Sequence, residues 1–343
     1  MRYKLLGRSG LRVSELALGT MTFGEDWGWG ASKEESRKIF EAFSEAGGNF
    51  IDTAVNYTNG ASERYVGEFI AAQRDTYVLA TKYTLRDRNA PRRDPNAGGN
   101  QRKNMMRSIE TSLRNLQTDH IDLFYLHAWD YLTPVEEVMR GLDDLVSSGK
   151  ILYTGISDTP AWVVAKANTL AELRGWSRFV VLQVAYSLAD RAAERDLLPM
   201  ARSEELAVLA WSILEAGILT GKHRDPGAIT RFKGASEEEL ARGDAVVALA
   251  SEIGRTPSQV AINWVRQRPW SGPAIIPILG ARSLAQLKDN LGALDFALTA
   301  EQIERLDAIA PPNLGFPHDF LSSKGVRGLI FGDTFDLIDN HRS

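Results

Sequence analysis

The chain has 343 residues, 44% of them hydrophobic and 24% charged, which is long enough to bury a large core as one barrel-sized domain or two smaller ones. A net charge of −4 supplies no global basic field for nucleic acid, and the lack of cysteine excludes disulfides, thiolate zinc sites and iron–sulfur ligation. Five scattered histidines without HxH or HxxxH spacing predict no metal site; with no signal-peptide core and no apolar span of ~20 residues, the chain reads as soluble and cytoplasmic, with no membrane partner.

Residues 3–18 read as a hairpin turning at Ser9 and Gly10. Apolar β-type runs follow at 15–19, 49–52, 77–81, 121–126, 151–156, 179–184, 207–211 and 274–279. Between them lie helix-period segments at 33–46, 62–71, 103–116, 134–148, 160–174 and 283–290, several opened by Ser, Thr or Pro and one closed by Gly149. Eight such units, with strands apolar on both faces, predict a parallel (β/α)8 barrel, the TIM barrel. A doubly wound sheet needs GxGxxG after its first strand, and LALGTMTFGEDWGWG does not supply it. GILTGK at 217–222 is one residue short of a P-loop and lacks the Ser or Thr after Lys.

Three segments exceed the repeat: the hairpin at 1–18, a polar loop at 86–101, and a tail at 311–343 beyond a last helix pattern at 300–309. The seven Lys and Arg against two Asp at 86–107 read as a solvated loop. Long mouth loops bind ligands, and the tail is expected over the mouth. Without internal repeat, low-complexity tract or linker, 1–343 reads as one domain.

Four words place polar residues directly behind strand-like runs: IDTAVNY at 51–57, LATKY at 79–83, LFYLHAWD at 123–130 and TGISD at 154–158. They bring Asp52, Tyr57, Lys82 and His127 to successive strand ends, where one barrel mouth gathers them. A free phenol, with a pKa near 10, is a poor acid at neutral pH unless a positive charge stabilises its phenolate. Lys82 is the candidate for that charge, with Asp52 to pair with it, Tyr57 as the expected acid and His127 as the expected donor to the substrate oxygen. Taken singly, the four also read as a turn cap, a surface lysine, a loop aromatic and a barrel-end histidine.

In this order the four words resemble the aldo-keto reductase family, over roughly residues 3 to 310, and within it the branch of aryl-alcohol dehydrogenase-like enzymes and potassium-channel beta subunits. The resemblance implies that the hairpin plugs the bottom of the barrel. It also implies NADPH, rather than NADH, extended across the mouth, with Gly19, Thr20 and Asp52 beside it and with Ser157 and Gln183 on the nicotinamide carboxamide. Asp158 stands where the family usually has Asn; it accepts from the amide NH2 but cannot donate to its oxygen, and a helix N-cap before Pro160 is the alternative role. Trp211 falls where the family stacks an aromatic ring on the nicotinamide. SILEAGILTGK at 212–222 matches the family's SPLxxGxLTGK except for Ile213, which implies that backbone near Ser212, Leu214 and Gly217, with Lys222, faces the pyrophosphate.

After the last strand, Gly280 allows close backbone approach, Ser283 opens a helix N-terminus, and Arg282 is the expected 2′-phosphate partner. Gln286 and Asn290 share a helical face toward the adenine end, or form an ordinary surface face. Met21, Phe23, Trp27, Trp29, Tyr83 and Trp129 are expected to line an apolar pocket, with GFPHDFL at 315–321 as a further wall. Such a pocket suits a bulky or aromatic small-molecule carbonyl. The expected activity is reversible, NADPH-dependent reduction of an aldehyde or ketone to the alcohol. The alternative is a nicotinamide-binding regulatory subunit with slow turnover, and a carboxylate hydrolase built on Asp52 and Asp158 leaves Tyr57 and Lys82 unused. Substrate identity, stereochemistry, direction and oligomeric state are not legible in the sequence.

Overall fold

The computed structural model describes residues 1–86, 93–224, 234–268 and 272–340, so residues 87–92 of the polar loop and 341–343 of the tail lie outside the described residues. Eight parallel strands close a barrel in the order β10-β3-β4-β5-β6-β7-β8-β9. They are β3 (Ala17–Gly19), β4 (Phe50–Asp52), β5 (Val78–Tyr83), β6 (Ile121–Leu126), β7 (Ile151–Ser157), β8 (Phe179–Ala185), β9 (Ala207–Trp211) and β10 (Ile275–Gly280). All eight predicted runs are strands; β5 continues to Tyr83, two residues past its expected end.

Side chains alternate across a strand, so each strand feeds two cores. Ala17, Phe50, Val78, Ala80, Leu123 and Tyr125 fill the inside of the barrel with Val181, Leu209 and Ile276. Ile51, Leu79, Phe124, Leu126 and Leu182 face outward, into the layer shared with the helices. Parity then fixes the site. Counting by twos along the inner face, Phe50 leads to Asp52, Ala80 to Lys82, Val181 to Gln183 and Leu209 to Trp211. Gly155, next along this face before Ser157, has to lack a side chain, because a Cβ there would lie 2.5 Å from the Tyr125 ring.

The helices are α1 (Lys33–Glu45), α2 (Ala61–Ile70), α3 (Arg102–Leu116), α4 (Val135–Ser147), α5 (Ala161–Arg174) and α6 (Leu197–Ser203), then α7 (Glu237–Glu252), α8 (Pro257–Arg266), α9 (Leu284–Leu291) and α10 (Ala300–Asp307). Periodicity did not single out α7 and α8, although both begin on capping boxes, Ser236 with Glu239 and Thr256 with Gln259. At the N-terminal end, β1 (Tyr3–Leu5) and β2 (Arg12–Ser14) pair antiparallel, and Leu6 and Val13 are fully buried in the inner core. The hairpin thus closes the floor of the barrel.

In the tail, α11 (His318–Ser322) and α12 (Lys324–Phe331) bury no side chain. Phe316 and Phe320 of the expected wall are exposed, and the segment is tied back where Arg195 donates to the Phe316 carbonyl at 3.0 Å. No helix among the described residues is long and apolar enough to cross a membrane.

Candidate active site

Lys82 is fully buried, and its three protons find three acceptors: Asp52 Oδ2 at 2.6 Å, the Thr53 carbonyl at 2.8 Å and the Tyr57 hydroxyl oxygen at 3.2 Å. Burial alone pulls an ammonium toward the neutral amine. Here Asp52 and Tyr57 outweigh it and hold Lys82 above its ordinary value, so the group stays charged. Thr53, which sequence reasoning missed, contributes only its carbonyl, an acceptor that no side-chain pattern reveals.

Tyr57 begins a tight turn in which Thr58, Asn59 and Gly60 all have positive φ, 44°, 53° and 80°, before α2 starts. The turn aims the phenol back over Lys82. Burial pushes Tyr57 above its ordinary value, and the downward pull of Lys82 does not overcome it. Lys82 pulls the phenol downward, as expected of a charge that favours the phenolate, but burial outweighs it and Tyr57 keeps its proton.

His127 lies just past β6, with its ring centroid 5.9 Å from that of Tyr57. Burial, reinforced by Lys82, holds it well below the usual imidazole range, so it is neutral, and its Nδ1 is buried without a hydrogen-bond partner. Its position is set from the polar loop: Asn100 Nδ2 donates to Thr84 Oγ1 at 2.9 Å and to the Ala128 carbonyl at 2.8 Å, while the His127 amide donates to Thr84 Oγ1 at 3.3 Å. Asn100 and Asp130 close a reciprocal pair, Asn100 N to Asp130 Oδ2 at 2.7 Å and Asp130 N to Asn100 Oδ1 at 2.8 Å. This clamp was not anticipated: the loop reads as solvated in the sequence, and the burial of Asn100 shows only in the fold.

Around this centre, Ser157 Oγ is buried and unpartnered, Gln183 donates to Asp52 Oδ1 at 2.8 Å, and the Trp211 indole N–H donates to Asp158 Oδ1 at 3.3 Å. Asp158 is exposed at the mouth, yet the protein around it pushes its carboxyl above the ordinary value, against the pull of Trp211 and Lys82. The turn after β9 is left-handed at Ser212, Glu215, Ala216 and Gly217, the last at φ 99°, where only glycine is unstrained. Leu214 packs on the core, and Lys222 is exposed beyond it. Gly19 and Gly280 end the neighbouring strands β3 and β10, with open space above Gly280.

Several expected contacts are corrected. Phe23 and Tyr83 are fully buried in the outer core and line no pocket. For Tyr83 the reason is parity: with Lys82 facing in, its neighbour must face out, where it stacks on Phe124. Thr20 is also fully buried, its hydroxyl donating to the Asp52 carbonyl at 3.0 Å and meeting Ser62 Oγ at 2.8 Å, so it joins strand ends rather than facing the mouth. Gln286, half-buried, and Asn290, buried, brace the loop before them, Gln286 Oε1 accepting from Arg282 N at 2.8 Å and Asn290 Nδ2 donating to the Gly280 carbonyl at 3.3 Å. Met21, Trp27, Trp29 and Trp129 are half-buried, and the Trp27 ring meets Tyr57 edge-on at 6.3 Å.

The residues 15–311 match the model of the aldo/keto reductase family. Among similar proteins, norsolorinic acid reductase of Aspergillus flavus is 40% identical over 92% of this chain and 83% of its own length. Aryl-alcohol dehydrogenase [NADP(+)] of Phanerodontia chrysosporium is 38% identical over 97% of this chain and 89% of its own, and norsolorinic acid reductase B of Dothistroma septosporum is 40% identical over 94% and 85%. With its eight-stranded parallel barrel and this match along nearly its whole length, the chain is an oxidoreductase and belongs to the aldo/keto reductase family.

Proposed function

We propose that the chain reduces an aromatic or otherwise bulky aldehyde or ketone to the alcohol with NADPH, and that Tyr57 supplies the proton. The observation that carries this is the buried relay Asp52–Lys82–Tyr57 beside a neutral His127. The residues at the mouth fit a nicotinamide nucleotide: Ser157 Oγ is an orphaned buried hydroxyl, Trp211 offers an exposed flat ring, and Gly280 leaves room for close approach. Ser157, Trp211, the turn at 212–222 and the Gly280–Arg282 loop would hold it, and when bound it supplies the hydride.

Tyr57 holds its proton at neutral pH and stands against Lys82, so an oxygen gaining negative charge beside it draws that proton across. The resulting phenolate is what Lys82 stabilises, and Asp52 keeps Lys82 charged and in place. A neutral His127 donates to the carbonyl oxygen without competing as an acid. The half-buried rings of Trp27, Trp29 and Trp129, with Met21, exclude water and favour an aryl group, in keeping with the names of the relatives. Assaying aromatic aldehydes and ketones with NADPH and then NADH tests the reading. Turnover with NADPH is expected, and failure to bind either nucleotide overturns it.

A further inference from the structure

The charges at the reacting centre do not sum to zero. Lys82 and Asp52 cancel at 2.6 Å, while Tyr57 and His127 are neutral. Asp158 remains, and among the described residues it forms no ion pair. Its backbone sits at φ 38°, pinned by Asp158 N to the Gln183 carbonyl at 3.3 Å and by Trp129 N to its own carbonyl at 3.3 Å. Its side chain is fixed by the Trp211 N–H, and its field reaches both Tyr57 and Lys82. One surplus negative charge is therefore held against the Trp211 ring.

Resting on the proposed function, we infer that Asp158 makes the mouth selective for the oxidised nucleotide, its carboxylate holding NADP+ more tightly than an uncharged residue there would, with no such gain for NADPH. The two forms differ at the ring: the reduced nicotinamide is neutral and the oxidised one carries a positive charge. A carboxylate at its edge attracts only the second. A side-chain amide at this position meets the carboxamide equally well in both forms and discriminates less. The consequence is a tilt of the on-enzyme balance toward alcohol plus NADP+, and a slower departure of NADP+ afterwards.

The test is calorimetric titration of NADP+ and NADPH, separately, into the full chain, into Asp158→Asn and into Asp158→Gly. Asparagine keeps the shape and still accepts from the Trp211 N–H; glycine adopts the positive φ without strain and removes the side chain. In both variants the ratio Kd(NADP+)/Kd(NADPH) is expected to rise about 3- to 30-fold, the range for one partly screened charge pair. A ratio unchanged within about twofold, including equal weakening or loss of both nucleotides, overturns the inference. If neither nucleotide binds the unaltered chain, it is the proposed function that fails.

Discussion

Gln183 Nε2 donates to Asp52 Oδ1 at 2.8 Å, joining β8 to β4 on opposite sides of the barrel across 131 residues of chain. The carboxylate that fixes Lys82 with one oxygen is itself fixed by the other. The resemblance places Gln183 on a carboxamide; the structure gives its NH2 group to Asp52. Gln183→Ala strips a buried carboxylate oxygen of its donor and is expected to lower unfolding stability by about 1–3 kcal/mol in urea titration. An unaltered urea midpoint would mean that the residue serves only the ligand.

Tyr57→Phe removes the proton and keeps the ring. Carbonyl reduction is expected to fall about 10²- to 10⁴-fold, with nucleotide affinity by calorimetry nearly unchanged. Retention of more than about a tenth of kcat would reassign the acid.

Because His127 is held well below its ordinary value, it stays neutral when free histidines protonate near pH 6.5. The kcat/KM for reduction is expected to show no inflection at about pH 6.5. Stability moves differently. Below about pH 6.5 the unfolded chain takes a proton that the folded imidazole refuses, so this contribution is complete above that pH and is lost as pH falls toward the folded value. An activity step near 6.5 would show that the imidazole titrates in the fold.

Asn100→Ala opens the clamp that carries His127. It leaves Thr84, Ala128 and Asp130 short of partners, and kcat is expected to fall about tenfold while nucleotide Kd holds, since the clamp lies on the His127 side of the mouth. If nucleotide Kd shifts as far as kcat does, Asn100 acts on the whole mouth.

Arg282→Ala is expected to raise Kd for NADPH about 10- to 100-fold and to leave NADH binding nearly as it was, because only the 2′-phosphate differs between them. Equal weakening of both would assign Arg282 to the shape of the loop that Gln286 caps.

The barrel was legible because strand runs, helix starts and Gly149 each carry a local signal, and the relay was legible because its members directly follow strand-like runs. What failed was facing. Tyr83 looks like a mouth aromatic in a linear reading, yet the side on which its ring emerges depends on strand parity and on how far β5 extends; Phe23, past the end of β3, is buried by the turn it sits in. Contacts made by backbone carbonyls, such as Thr53 to Lys82, leave no trace in residue type. Thr20 and Asn290 bond neighbouring backbone, as short polar side chains beside a bent backbone do, and the sequence does not show which carbonyl each will find.

The hairpin also sets the side from which Tyr57 is approached. With Leu6 and Val13 sealing one end and Phe50, Leu123 and Tyr125 filling the interior, the described residues close the barrel beneath Lys82. A change at Leu6 or Val13 therefore reaches Tyr57 through the packed interior and not through the mouth.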